Sequence, residues 1–120
     1  SMLQAAVMGH NLPVIKLLVE RGADLNYVDP FSGSALHYAL NGTDFYMAAY
    51  LVEAGINLKL LDSTSPEIKN PRTVRRTAIE KFCYFDGGKR GDDPLPEAAD
   101  GWRVFTAALA KRGVTMPCGL

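Results

Sequence analysis

The chain repeats itself at a fixed period. Leu17-Leu18-Val19-Glu20-Arg21-Gly22-Ala23-Asp24-Leu25 is answered by Tyr50-Leu51-Val52-Glu53-Ala54-Gly55-Ile56-Asn57-Leu58, 33 positions later. Asp29 and Asp62 share that offset. A period of this length specifies a row of like supersecondary units. Each unit is too small to bury its own apolar face, so neighbours must stack to make one continuous core. With 120 residues the chain holds about three such units and forms one small domain.

The local patterns read as helix pairs. Val14, Leu17, Leu18 and Arg21 recur at helical spacing, the first three apolar. Gly22, Gly55 and Gly113 each follow such a face, where a left-handed residue ends a helix. Asn70-Pro71 reads as an N-cap with proline at the first helical position, and from it Val74, Ala78, Phe82 and Phe85 keep helical spacing. Asp100 reads as the N-cap of the last helix.

Particular residues carry a family resemblance. Ser34-Ala35-Leu36-His37-Tyr38-Ala39 resembles the Thr-Pro-Leu-His-x-Ala signature of ankyrin repeats. Gly9-His10 resembles the Gly-His that opens the second helix of such repeats, and Gly22-Ala23-Asp24-Leu25-Asn26 resembles their Gly-Ala-Asp-Val-Asn. Residues 3–62 carry the resemblance. In this alignment Leu3 takes the signature His position, one extra residue sits near Pro13, and Thr43-Asp44 replaces Gly-His. The third unit is degenerate. Arg76-Thr77-Ala78-Ile79-Glu80 stands for its first helix, with Glu80 in the signature His position, and Gly101-Trp102 opens its second. Thr77 follows Ser34 by 43 positions and Gly101 follows Thr43 by 58, so two insertions are expected, one before each helix. The resemblance implies an all-α, ankyrin-type helical solenoid of three helix-turn-helix repeats with finger loops. Its single domain spans 1–120, in units of approximately 3–29, 30–62 and 63–120.

The resemblance also implies a function, binding of a protein partner through the finger loops and the inner, first helices. The family's contact positions fall on Tyr27, Pro30, Phe31 and Gly33 of the first finger. On the first helices they fall on Val7 and Met8, on Asn41 and Gly42, and on Tyr84 and Phe85. Large aromatics at such positions are the anchors that dominate protein interfaces. For Tyr84 and Phe85, packing beneath the neighbouring insertion is the favoured alternative. Trp102 is expected to cover the end of the core. Asn26 stands where ankyrin repeats can carry a hydroxylated asparagine.

The remaining chemistry is sparse. Thirteen basic residues balance thirteen acidic ones, which argues against nucleic acid or an anionic membrane as the partner. No apolar run is long enough to span a bilayer. His10 and His37 are the only histidines, both on positions where the family uses histidine structurally, and neither has a nucleophile or base beside it in the sequence. The segment Asp86-Gly87-Gly88-Lys89-Arg90-Gly91-Asp92-Asp93 is rich in glycine. It lacks the Gly-Lys-Ser/Thr of a phosphate loop and reads as a solvated insertion. Its Arg90-Gly91-Asp92 tripeptide is too short to carry weight. No catalytic residues, metal ligands or cofactor are assigned, and the chain is expected not to be an enzyme. Cys83 and Cys118 read as free thiols of a reducing, cytoplasmic or otherwise intracellular setting. Two other roles stay open: the capping end of a longer ankyrin array, and a ligand or enzymatic site built on the third-unit insertion. An uncovered first repeat would expose Leu3, Ala6 and Val7 and invite self-association.

Overall fold

The structure, a computed structural model, describes residues 2–29, 33–42, 44–62, 76–86 and 96–117; for 84–86 and 96–99 it describes the backbone alone. The helices are α1 (Met2–Met8), α2 (Leu12–Glu20), α3 (Ala35–Asn41), α4 (Phe45–Glu53), α5 (Ala78–Asp86) and α6 (Pro96–Lys111). α1 packs with α2 and α3 with α4. α1, α3 and α5 pack side by side as one row, and α4 packs closely on α6 behind it. Among the described residues no strand forms, and two isolated bridges, Asp29 with Gly33 and Leu61 with Thr77, mark the bases of the connections between units. The all-helical solenoid expected from the sequence is what forms.

The same local devices recur in each unit. Asn11 and Asp44, 33 apart, cap α2 and α4 by accepting the N–H of Val14 and Met47. Ser34 caps α3 in a box with His37, and Thr77 forms the matching box with Glu80 at α5. Gly22, Gly55 and Gly113 have φ of +87°, +97° and +75°, which a side chain tolerates poorly. The next N–H then turns back to the helix, from Ala23 to Leu18, Ile56 to Leu51 and Val114 to Leu109.

These devices fix the register and correct the sequence alignment. Asp29 accepts Gly33 N–H on Oδ1 while its own N–H donates to the Gly33 carbonyl. Asp62 and Arg76 exchange the same two bonds. Gly33 and Arg76 are therefore equivalent, 43 positions apart, and the ten-residue insertion before α5 is real. Between the first two units, however, the offset is 33 throughout. Gln4, not Leu3, takes the signature His position: its Nε2 donates to the Gly33 carbonyl at 2.9 Å, as His37 Nε2 donates to the Arg76 carbonyl at 3.1 Å. No extra residue sits near Pro13, because Asn11 and Asp44 cap in register. Asp100 is not an N-cap either. α6 begins at Pro96, and Asp100 instead accepts bonds from Tyr46 and Arg103. Asn70-Pro71 lies outside the described residues, but the unbroken helix expected from it through Ala78 does not form: Thr77 bridges to Leu61 and α5 begins at Ala78.

The core runs along the stack through Val7, Ile15, Leu36, Leu51, Phe82 and Phe105. At the junction of the second and third units Phe45, Phe82, Trp102 and Phe105 gather, with Phe45 and Trp102 ring centres 5.2 Å apart and edge to face. Gly101 lets α6 approach there: a Cβ on it would stand 3.2 Å from Phe45 Cβ. Trp102 therefore covers the core edge, as expected.

Cys83 of α5 is disulfide-bonded, which overturns the expectation of free thiols. The only other cysteine in the chain is Cys118, outside the described residues. Disulfides persist in oxidising surroundings. The ground for placing the chain in a reducing compartment is thereby removed.

Candidate functional site

The described surface nearest to the expected contact positions is the first finger and the ends of the first helices. The finger is built on Gln4 and Asp29. Gln4, 4% exposed, donates to the Gly33 carbonyl and, at 3.4 Å, to the Tyr27 carbonyl. Asp29 holds Gly33 N–H on one carboxylate oxygen and the Tyr38 hydroxyl on the other. The finger base is thus tied to α1 on one side and to α3 on the other. Burying Gln4 is tolerable because its amide meets two carbonyls.

On this frame Tyr27 is 41% exposed, Met8 is 63% exposed and Asn41 is exposed. Met8 and Asn41 are equivalent positions, 33 apart, at the last turns of α1 and α3. Two other expected contact residues face inward. Val7 is 1% exposed, equivalent to buried Leu40, and belongs to the core. Gly33 is buried at the finger base, with its carbonyl and N–H engaged. The error at Val7 follows from the one-residue slip: pairing it with Asn41 placed it on the wrong face. Pro30 and Phe31 lie outside the described residues. Tyr84 and Phe85 lie in α5, where their side chains are not described. By register Tyr84 is the third member of the series of Met8 and Asn41.

The titratable groups are structural. His37 is buried, accepts Ser34 N–H on Nδ1 at 3.0 Å and donates from Nε2 to Arg76. Burial, foremost, pushes its pKa below the ordinary imidazole value, so it stays neutral. His10, at φ +55°, bonds Asp44 at 2.9 Å and ties the first unit's turn to the cap of α4. Asn26 Oδ1 accepts Asn57 N–H at 2.8 Å, so this side chain links successive units. Between the C-terminal ends of α4 and α6 an open groove is lined by Glu53, Lys111 and Arg112 among others. Its charges are in use: Arg112 donates to the carbonyls of Val52 and Ile56, capping α4, and Lys111 pairs with Glu53 at 3.5 Å. Among the described residues no cluster of side chains could hold a metal, and no helix is long and apolar enough to cross a membrane. Lys89, Arg90, Asp92 and Asp93 lie outside the described residues.

The family described as ankyrin repeats (many copies) matches residues 3–52. Residues 3–52 are similar to this family. No curated protein and no solved structure matches the chain. Ankyrin repeats are, as a family, protein-binding units, and the match covers the first finger and the α1, α2 and α3 helices that frame it.

Sequence reasoning missed Gln4 and Arg112. Gln4 was legible, since it stands 33 positions before His37 and can donate the same bond. Arg112 was not, because capping a helix in the neighbouring unit leaves no mark in the sequence.

Proposed function

We propose that the chain is a non-catalytic binding module that docks a protein partner on the first finger and the adjoining ends of α1 and α3. The observation that carries this reading is the pairing of exposed contact groups with a fixed frame. Tyr27, Met8 and Asn41 face solvent, while Gln4 and Asp29 hold the backbone beneath them. A pre-organised surface loses less conformational entropy on binding, which leaves more of the contact energy as affinity. Tyr27 supplies an aromatic anchor and Met8 an adaptable apolar one.

The test is affinity capture with the natural chain beside a Tyr27→Ala/Met8→Ala chain of unchanged melting temperature. The partner retained by the first should be lost or weakened at least roughly tenfold with the second, as expected for truncated anchors. Equal retention by both chains would remove this surface from the reading. A second reading, that the third unit closes a stack, is favoured by the outward face of α6, where Arg103, Ala107 and Ala110 are exposed and, among the described residues, no large apolar side chain is exposed.

A further inference from the structure

The chain has five asparagines, and one is unlike the rest. Asn11 Oδ1 accepts Val14 N–H, Asn26 Oδ1 accepts Asn57 N–H at 2.8 Å, and Asn57 Oδ1 accepts Lys59 N–H at 2.9 Å. Each of these is followed by a bulky residue, Leu12, Tyr27 or Leu58. Asn70, outside the described residues, precedes Pro71, which has no backbone N–H. Asn41 is exposed, no hydrogen bond among the described residues holds its side chain, and the next residue is Gly42.

Asn41 is the last residue of α3, and Gly42 caps that helix. The glycine has a packing reason, since a Cβ on it would stand 3.2 Å from His10 Cε1. The asparagine has none. One period earlier the same turn is made by Met8 and Gly9, with Gly9 N–H donating to the Ala5 carbonyl at 3.0 Å as Gly42 N–H donates to the Tyr38 carbonyl at 3.1 Å.

We infer that Asn41 is a site of spontaneous deamidation, which turns a neutral surface position into an anionic one. The backbone nitrogen of Gly42 gives its proton to a solvent base and attacks Asn41 Cγ. The new N–Cγ bond closes a cyclic imide, the Cγ–Nδ2 bond breaks, and the departing nitrogen takes up a proton and leaves as ammonia. Water then opens the imide at Cγ to give aspartate, or at the backbone carbonyl to give isoaspartate. Only water is consumed. Glycine hinders this attack least, because no side chain stands beside its nitrogen.

Folding slows the reaction without preventing it. Gly42 N–H must leave the Tyr38 carbonyl before its nitrogen can attack, which opens only the last turn of a seven-residue helix. Helix ends open locally at a small fraction of the cost of global unfolding. The other described asparagines must give up a side-chain bond as well. The product carboxylate sits at the C-terminal end of α3, where the helix dipole opposes negative charge. It also stands at the position equivalent to Met8, where covering an unpaired carboxylate with a partner is costly. That last consequence rests on the partner surface proposed above; the modification itself does not.

The test is incubation of the folded natural chain at neutral and at mildly alkaline pH, with peptide mapping by mass spectrometry at intervals. Asn41 is expected to gain the mass of an amide-to-acid conversion at least roughly tenfold faster than Asn11, Asn26 or Asn57. Isoaspartate should be among the products, the rate should rise with pH, and Asn41→Gln should remove the conversion. No partner enters this readout, so its failure is distinct from failure of the capture experiment. Conversion of Asn41 no faster than that of the other asparagines would overturn the inference. So would aspartate without isoaspartate, the mark of direct hydrolysis of the side-chain amide.

Discussion

At the scale of single residues, the tightest constraint is Gly33. Its φ is +108°, and a Cβ there would stand 2.8 Å from His37 Cγ and Nδ1 and 3.0 Å from Asp62 Cα. Gly22 has a similar φ of +87° but open space around it. The pair separates two costs. Gly22→Ala should cost about 1–2 kcal/mol, the price of the left-handed backbone alone. Gly33→Ala should cost about 2–4 kcal/mol, because the His37 ring must also move and its bond to Arg76 lengthens. Urea unfolding of both variants decides this; equal losses would mean the ring yields freely. His37 makes a second prediction. Its pKa is lowered on folding, so the unfolded chain takes up its proton first as pH falls. The stability it contributes is complete above the unfolded imidazole value of about 6.5 and declines as pH drops from there toward the folded pKa. Melting temperature should fall as pH drops below about 6.5, the unfolded imidazole value, before the carboxylates begin to titrate. In His37→Gln, which keeps a donor toward Arg76, the slope over that window should flatten. An unaltered slope would assign the acid sensitivity to other groups.

At the scale of elements, the third unit is the one whose sequence had drifted furthest from the repeat, and it is held by unlike means. Phe45, Phe82, Trp102 and Phe105 interlock, Arg112 caps α4, and Cys83 is disulfide-bonded. A disulfide stabilises by about 2–4 kcal/mol, chiefly by restricting the unfolded chain. Reductant should lower the unfolding midpoint by that amount, and Cys83→Ser should already show the lowered value and no further response. A midpoint indifferent to reductant would leave the aromatic cluster as the sole fastening. This unit also marks where the sequence stopped being legible. The glycines at 22, 55 and 113 placed three helix ends correctly, because their left-handed backbone is a local demand. The alignment of Arg76-Thr77-Ala78-Ile79-Glu80 with the repeat located α5, whereas the cap read at Asn70-Pro71 would have started that helix too early. The start of α6 was misjudged, since Asp100 has the chemistry of a cap but is engaged by Tyr46 from another unit. The slip that made Leu3 the signature residue and Val7 a contact residue came from reading letters. What sets the register is a hydrogen bond, which Gln4 makes as well as His37 does. Tyr27 and Met8 were placed on the exposed side correctly.

At the scale of the whole molecule, a stack of units shares its stability unevenly. In such arrays stability approximates a sum of unit terms and nearest-neighbour interfaces. The second unit has a neighbour on both sides: Ile15 and Val7 pack from the first, and the aromatic cluster and α6 pack from the third. The first unit has one neighbour, joined by Gln4, the His10 to Asp44 bond and the Lys16 to Tyr50 contact. Amide exchange should therefore be slowest in α4, whose central residues Met47, Ala48, Leu51 and Val52 are sealed from solvent. α1 and α2 should exchange through a smaller opening that leaves the rest folded. Equal protection from α1 to α6 would mean that the units unfold together and the unequal interfaces do not matter.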